Sequence, residues 1–437
     1  MLSGIRKKKF TVQTSGCRLN QYESEKMAAQ LEPFGFERAE PDEPADLYII
    51  NTCTITHRAD SSSRYLIRKA ARENPAGSIV VAGCYVDSDP EKIAGMEGVD
   101  LIVPNAQKTQ LGELLPSALP DLFSTEPDKN CSPSIGSFQG HNRAWLGISD
   151  GCHQRCSYCI LPQVRGGLRH RSPEDILADV RAITAQEFHE VCLTGLNIGY
   201  YKWTDGPRKI KHLSDLCRLI LDETDIDRIR LSSVEPQTLD ENLVELYRER
   251  GEQLCRHLHV SMQSGSSRVL RIMRRPYNRE EYLRRVGMLK EAIPNMIIGA
   301  DIIVGFPGET KADFLESKSA AETGLIDYLH VFSYSDRPGT VATNIQEKII
   351  PEEIKERNAI LTRISRKNKL TAHQRMIGET LGVISEFSPT KNRYHCGVAD
   401  NYVRVRLPEG IGGGKEIVRM KITAANQDHV TGELVNS

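Results

Sequence analysis

The stretch Gly151-Cys152-His153-Gln154-Arg155-Cys156-Ser157-Tyr158-Cys159 decides how the rest of the chain reads. It follows Trp145-Leu146-Gly147-Ile148, an apolar segment with the pattern of a short strand. Side chains alternate along a strand, so thiols spaced four and then three residues apart cannot share one strand face, whereas a loop can turn them towards one point. Thiolates are soft ligands, suited to zinc or to an iron-sulfur cluster. Structural zinc takes four protein ligands. No fourth Cys or suitably spaced His completes this loop, and His153 next to Cys152 would crowd a single metal. A cubane cluster with three irons held by thiolate and the fourth left open fits the set better.

Upstream, strand and helix patterns alternate, and each of the first three strands leads to a cysteine. Phe10 to Thr14 leads to Cys17 and a helix from Asn20 to Leu31; Ala45 to Asn51 leads to Cys53 and a helix from Ala59 to Asn74. Ser78 to Ala82 ends at Gly83-Cys84, and Val99 to Val103 and Lys108 to Leu115 continue as strand and helix. Such alternation predicts a doubly wound parallel sheet, whose ligands lie beyond the carboxyl ends of the strands. Topology therefore brings Cys17, Cys53 and Cys84 to one edge, where they would share a second cluster or remain three buried free cysteines. Residues 1–120 form this domain, and the polar, Pro- and Ser-rich residues 121–141 read as a linker.

Downstream, residues 142–370 repeat the alternation. Strands are expected at Glu190 to Leu193, Arg228 to Leu231, Arg256 to Ser261, Met296 to Val304 and Asp327 to Phe332, with a Ser172-capped helix to Ala185 and another over Leu213 to Leu221. Counting the segment before the cysteine loop, six strand-helix units predict a partial barrel with active loops at the carboxyl ends of its strands. The loop Thr194-Gly195-Leu196-Asn197 can let backbone approach a ligand or be a mere tight turn. Glu235 in Ser232-Ser233-Val234-Glu235-Pro236 would hold a ligand ammonium or ribose, or cap a loop. Asp301 within an apolar strand implies a ligand or a buried network. Arg268, Arg271, Arg274, Arg275 and Arg279 form the sharpest positive patch, set for phosphate or for a solvated helix face. In residues 371–437, five short apolar stretches from Thr380 to Val435 suggest a small β-barrel.

The chain has 437 residues, a formal net charge of -1 and 11 cysteines. Near-neutrality leaves attraction to a polyanion to local patches. The cysteine density is far below that of a small disulfide scaffold. No signal-peptide pattern opens the sequence and no apolar run has membrane-spanning length, so a reducing cytoplasm and no membrane are expected.

The loop at Cys152, Cys156 and Cys159 resembles the hallmark of radical S-adenosylmethionine enzymes. Three further stretches are similar to signatures of the methylthiotransferase N-terminal domain: Ser15-Gly16-Cys17-Arg18-Leu19-Asn20-Gln21-Tyr22-Glu23-Ser24-Glu25, Ile50-Asn51-Thr52-Cys53 and Ala82-Gly83-Cys84. LTGLN, SSVEP, MQSGS, DIIVGFPGET and FSYSDRPGT extend the likeness through the centre, and the C-terminal stretch resembles the TRAM module, an RNA-binding appendage. The resemblance implies an α/β chain with an N-terminal parallel sheet, a partial (βα)6 radical barrel and a TRAM-like barrel. It implies two 4Fe-4S clusters, one on Cys152, Cys156 and Cys159 that binds and cleaves S-adenosylmethionine, and an auxiliary one on Cys17, Cys53 and Cys84 that presents sulfur. Tyr158, Thr194, Gly195, Asn197, Ser233, Glu235, Gln263 and Asp301 would contact the cofactor. Asn20, Asn51 and Thr52 would support the auxiliary site or touch substrate. Arg165, Arg169, Arg271, Arg274 and Arg275 would meet phosphate or a carboxylate, and Tyr402, Arg404 and Arg406 would hold nucleic acid.

The likeness is closest to the branch that acts on N6-threonylcarbamoyladenosine at position 37 of tRNA, giving its 2-methylthio form; GCRLNQYESE and RRPYNREEY carry it. This implies a tRNA anticodon stem-loop as partner, an electron donor such as flavodoxin or ferredoxin, and a sulfur source. Arg18-Leu19 and HQRCSYC depart from other members between the ligands, which they leave intact. The alternatives are methylthiolation of N6-isopentenyladenosine in tRNA, methylthiolation of a ribosomal-protein aspartate, and a non-catalytic RNA-binding iron-sulfur sensor.

Overall fold

A computed structural model describes residues 7–40, 43–123, 126–128, 138, 140–386, 395–408, 410–411 and 414–435. Cys131, in the linker, and Tyr394, where one of the five C-terminal stretches is expected to begin, lie outside the described residues. The chain divides into two compact units. One comprises 1–137, 151–153 and 159–168; the other comprises 138–150, 154–158 and 169–437.

The first unit is built on β1 (Lys9–Thr14), β2 (Glu37–Arg38), β3 (Leu47–Thr52), β4 (Ser78–Gly83) and β5 (Val99–Val103). All neighbours pair in parallel, in the order β2-β1-β3-β4-β5. Leu47 to Thr52 are buried throughout, as expected for a strand covered on both faces. Leu47 and Ile49 join Phe10, Val80 and Met27 in one core, while Tyr48 and Ile50 join Ile67 and Val81 in the other. Helix His57–Glu73 starts where Thr56 Oγ1 accepts the Ala59 amide at 3.2 Å, satisfying one donor of its first turn. The order reverses between β1 and β3, the switch point at which open sheets of this kind bind ligands.

In the second unit, β6 (Ala144–Gly147) is followed by a clasp the sequence did not suggest: β7 (Ser149–Asp150) pairs antiparallel with β8 (Arg169–His170), closing the two ends of the cysteine loop. Then come β9 (Glu190–Thr194), β10 (Arg228–Leu231), β11 (Ser233–Val234), β12 (His257–Val260), β13 (Ile297–Val304) and β14 (Tyr328–Ser333). They form two parallel sheets, β10-β9-β6 and β11-β12-β13-β14, bridged between Ile229 and Leu254. These strands and their intervening helices supply the six units of the partial barrel. Helix Pro173–Thr184 begins as expected, with Ser172 Oγ accepting from the Asp175 amide at 3.1 Å.

Helix Pro351–Gln374 lies against the edge strand β14 and runs through the domain boundary expected at residue 370. It leads to a closed barrel of β15 (Thr380–Ser385), β16 (Cys396–Ala399), β17 (Arg404–Arg406), β18 (Ile417–Ala425) and β19 (Val430–Leu434). Its core gathers Leu381, Val383, Val405, Met420 and Val430, with Ala372 and Met376 from the end of the helix.

The barrel packs on the amino ends of β9, β10 and β12. Glu190 is fully buried; Arg228 Nε donates to its Oε2 and Arg230 Nε to its Oε1, each at 2.7 Å, and Arg143 approaches at 3.6 Å. The same two arginines reach the barrel backbone, Arg228 to the Gly382 carbonyl at 2.9 Å and Arg230 to those of Asp400 and Ala399 at 3.1 and 3.0 Å. Burial alone would raise the Glu190 carboxyl pKa, but the three guanidinium groups hold it well below its ordinary 4.5. Glu190→Ala is expected to cost about 3–5 kcal/mol at neutral pH, because two buried cations lose their counter-charge. A depressed carboxyl contributes stability above its unfolded value and loses it as pH falls. The gap between wild type and variant in denaturant unfolding should therefore be widest near pH 7 and shrink below about pH 4; a gap independent of pH would contradict the charge assignment.

Candidate active site

In the first unit, the carboxyl ends of β1, β3 and β4 bring three cysteines together at the switch point. Gly16, at φ 115°, lies directly against Cys53: a Cβ on Gly16 would sit 2.7 Å from Cys53 Cβ and 3.1 Å from its Sγ. Only glycine fits such an approach in that backbone region. Cys53 and Cys84 are buried and Cys17 is half-buried. Burial pushes the Cys53 thiol up to about 12, and the charges of Cys17 and Cys84 add to the rise. Cys17 is likewise raised, first by burial, with Cys84 among the contributors. Cys17 and Cys53, both raised chiefly by burial, are poorly placed to be free thiolates. They suit a cationic partner that replaces their protons, so the donor set fits an iron-sulfur cluster.

Asn20, Asn51 and Thr52 lie beneath these thiols and are buried. Asn20 Nδ2 donates to the Ser15 and Thr52 carbonyls at 2.8 and 3.1 Å, Asn51 Nδ2 to the Asn20 carbonyl at 2.8 Å, and Thr52 Oγ1 to the Ala82 carbonyl at 2.7 Å. They tie the three cysteine-bearing turns to one another and act as a frame. Asn51 Oδ1 is buried without a hydrogen-bond partner.

Arg165, expected to reach phosphate or a carboxylate of the cofactor, is placed otherwise. Its side chain is 1% exposed and ion-paired with Glu23. Nε donates to Cys84 Sγ at 3.0 Å and Nη2 to Asn20 Oδ1 at 2.6 Å. Glu23 also takes Lys108 Nζ at 2.8 Å, and the two cations hold its carboxyl down at about 2 against the effect of burial. Arg165 is thus a fixed positive charge beside the thiols and offsets part of the rise that burial imposes on Cys17 and Cys53. Arg165→Leu is expected to speed iron loss from this site to a chelator by about tenfold, the usual scale for removing an outer partner of a metal ligand. An unchanged rate would remove Arg165 from that role.

Within the cysteine loop, Cys152 belongs to the first unit and its amide donates to the Gly166 carbonyl at 3.1 Å. Cys159 also belongs to the first unit, and Cys156 to the second. Cys156 Sγ accepts from Arg275 Nη1 at 3.0 Å. Arg275 is buried, ion-paired with Glu235 and within 3.0 Å of the Tyr277 hydroxyl. Burial alone would lower its pKa; the neighbouring anionic groups raise it instead. Arg275 is therefore no surface phosphate contact, and Glu235 has an arginine partner rather than a free carboxylate.

Ser157 is held by backbone bonds, its amide to the Met273 carbonyl at 3.1 Å and its carbonyl from the Ala342 amide at 2.8 Å. Tyr158 packs on Phe306 and Val269. Thr194 and Asn197 are buried; Gly195 lies against Ser149, and Ser233 is exposed. Asn197 Oδ1, Ser157 Oγ and Ser232 Oγ are all buried without hydrogen-bond partners. Orphan polar atoms of this kind are what a polar cofactor satisfies on binding. Gln263 holds φ 65°, and its amide donates to the Asp301 carbonyl at 2.8 Å. Asp301, expected at the cofactor, has its carboxylate 2.9 Å from His259 Nε2.

Arg271 and Arg274 are exposed, as are Arg169, which pairs with Asp150 at 3.0 Å, and Arg404, which pairs with Glu386 at 3.4 Å. Arg406 is half-buried on β17. Tyr402 corrects the sequence expectation. Its ring stacks on His257 with centroids 4.4 Å apart and lies under the Arg230 guanidinium at 5.3 Å, so it is a packing residue and not a platform for bases. A groove along helix Pro351–Gln374, lined by Ser333, Lys355, Asn358, Arg363 and Arg366, adds basic groups to which the sequence reading gave no role.

The radical SAM superfamily signature matches residues 146–321, and that of an uncharacterized protein family, UPF0004, matches residues 9–104. Over 95% of this chain and 100% of its own length, the threonylcarbamoyladenosine tRNA methylthiotransferase MtaB of Aquifex aeolicus is 34% identical. MtaB of Bacillus subtilis is 32% identical over 97% of this chain and 95% of its own. This chain belongs to the radical S-adenosylmethionine methylthiotransferase family. A second branch, represented by the tRNA-2-methylthio-N(6)-dimethylallyladenosine synthase of Geobacillus kaustophilus, is 33% identical over 99% of this chain and 83% of the relative. Among solved structures, the radical S-adenosylmethionine methyltransferase TsrM of Kitasatospora setae superposes with a TM-score of 0.56 at 14% identity, covering 88% of this chain and 79% of that one. That likeness concerns the fold. In this methylthiotransferase, no described helix is long and apolar enough to cross a membrane.

Proposed function

We propose that the enzyme transfers a methylthio group to carbon 2 of N6-threonylcarbamoyladenosine at position 37 of tRNA, consuming two molecules of S-adenosylmethionine. The observation that carries this reading is the second cysteine set: Cys17, Cys53 and Cys84 gather at the switch point of a separate sheet, apart in sequence from the loop at Cys152, Cys156 and Cys159. A chain that only cleaved S-adenosylmethionine would need the loop alone. Near-full-length identity to the threonylcarbamoyladenosine enzymes supports the choice of nucleoside.

When bound, one 4Fe-4S cluster supplies the electron that cleaves S-adenosylmethionine and the other presents the sulfur to be transferred. The protein's part is to hold and orient. Cys152, Cys156 and Cys159 would ligate the first cluster, and Cys17, Cys53 and Cys84 the second. Asn197, Ser157 and Ser232 offer their unsatisfied oxygens to the polar groups of the cofactor. Arg271, Arg274 and the basic groove at Lys355, Arg363 and Arg366 would take the phosphates of the anticodon stem-loop, which position an RNA without reading it. Electrons would come from a flavodoxin or ferredoxin in the cytoplasm, and sulfur from a separate donor.

Mass spectrometry of tRNA nucleosides from cells lacking the chain tests the reading. The 2-methylthio form of threonylcarbamoyladenosine is expected to disappear and the unthiolated nucleoside to accumulate. An unchanged level would overturn the choice, and loss of the dimethylallyl product instead would move the enzyme to the other branch.

A further inference from the structure

The face of β12, β13 and β14 turned away from the helices carries a set of ligand-type side chains of which only Asp301 was expected at the cofactor. Alternation along parallel strands puts His257 and His259, Gly299 and Asp301, and Tyr328 and His330 on that face. Their neighbours Leu258, Ile298, Ala300, Ile302 and Leu329 are buried. In the register, Asp301 stands opposite His330 and Gly299 opposite both His259 and Tyr328. A side chain at position 299 would run into the Tyr328 ring, so the glycine lets Tyr328 lie across β13. The Tyr328 hydroxyl is then 2.8 Å from His257 Nε2.

Above this layer three ligand-type side chains converge. His259 Nε2 is 2.9 Å from Asp301 Oδ1, and His330 Nδ1 is 3.9 Å from the same oxygen. The donor atoms of all three lie within 4.8 Å of one another. His330 Nδ1 is at ion-pairing rather than hydrogen-bonding distance from that oxygen. Its ring lies 5.1 Å from that of His259, tilted by 53°, and packs against Tyr328 and Phe332.

We propose that His259, Asp301 and His330 form a site for a divalent transition metal. Two imidazoles and one carboxylate on adjacent strands make a three-ligand set that leaves further positions open. Metal bonds to such ligands are about 2.0–2.2 Å long, which puts ligand atoms about 3 Å apart. The His259–Asp301 pair already meets that spacing, and the more exposed His330 ring needs only a small turn to join it. Binding exchanges the proton between His259 and Asp301 for the metal. His259 and Asp301 are 11% and 25% exposed and His330 55%, so the site is walled on one side and open on the other. The open positions accept oxygen donors from water or from whatever occupies the barrel. The site is distinct in ligand chemistry from both thiolate sets.

The test uses enzyme reconstituted anaerobically with iron and sulfide, so that the six cysteines are occupied. It is dialysed against micromolar zinc chloride, and zinc and iron are counted by elemental analysis. One zinc per chain beyond the iron is expected, with affinity reduced by about tenfold or more in His259→Ala and in His330→Ala. His330 is exposed, so its variant is the one expected to keep the fold; iron content and circular dichroism unchanged from wild type certify it. Absence of zinc from the wild type, or wild-type affinity in His330→Ala, would overturn the site. The measurement involves no turnover, so its failure and a failure of the tRNA assignment are separate results.

Discussion

Cys53→Ala is expected to release deoxyadenosine from S-adenosylmethionine as wild type does and to yield no methylthiolated tRNA. Cys53 sits 3% exposed at the end of β3, under the backbone of Gly16 and among thiols it influences electrostatically. Its removal takes one of three ligands from that set and none from the loop that starts at Cys152. Iron after reconstitution should fall from about eight to about four per chain, in keeping with one 4Fe-4S site lost. Methylthiolated product should drop at least about a hundredfold, beyond the range seen when only an outer partner of a metal ligand is removed. Alanine is smaller than cysteine and the surrounding frame of Asn20, Asn51 and Thr52 is intact, so the fold should survive. Full product from this variant would end the two-site reading.

The opposite variant separates the two functions from the other side. Cys156→Ala is expected to abolish deoxyadenosine release and product together, because without cofactor cleavage nothing downstream can start. The thiol is paired to Arg275, which is itself clamped by Glu235 and Tyr277. An anionic ligand at this position therefore has a fixed counter-charge behind it, and the alanine variant leaves that charge with Glu235 as its remaining carboxylate partner. Deoxyadenosine measured by chromatography should fall to background, while iron bound through Cys17, Cys53 and Cys84 remains at about four per chain. Residual cleavage at more than a few per cent of wild type would mean that Cys156 does not ligate the first cluster.

Strand patterns and strand-end cysteines were legible because they follow from local periodicity. Ala45 to Asn51 and Ser78 to Ala82 read as strands, within two residues of the observed Leu47–Thr52 and Ser78–Gly83, and whatever follows a parallel strand lies at the sheet's carboxyl edge. Long-range placements were not legible in this way. Arg165 is 81 residues from Cys84, and the Glu23 that holds it is 142 residues away, so nothing local distinguishes it from an arginine on the surface. Arg275 looked like one of five surface arginines, and only the fold turns it inward to Glu235. Tyr402 read as an exposed aromatic, yet its backbone at φ 67° turns the ring onto His257 and beneath Arg230. The clasp of β7 with β8 is two residues long on each side, too short for any alternation to announce it. His259 and His330 acquire significance only through the register that sets them on either side of Asp301.

The salt-bridged seam beneath the partial barrel has a bearing on how this enzyme can be re-engineered. Arg228 and Arg230 each span from Glu190 to carbonyls of the terminal module, and Tyr402 of that module closes the floor of the larger one. A chimaera that grafts the terminal module of a relative would thus exchange part of the chamber's base along with the intended RNA handle. Swaps that carry Glu190, Arg228 and Arg230 with their own carbonyl partners should fold; those cut at residue 370 would sever a continuous helix and exchange the carbonyls at 382, 399 and 400 that the two guanidinium groups reach.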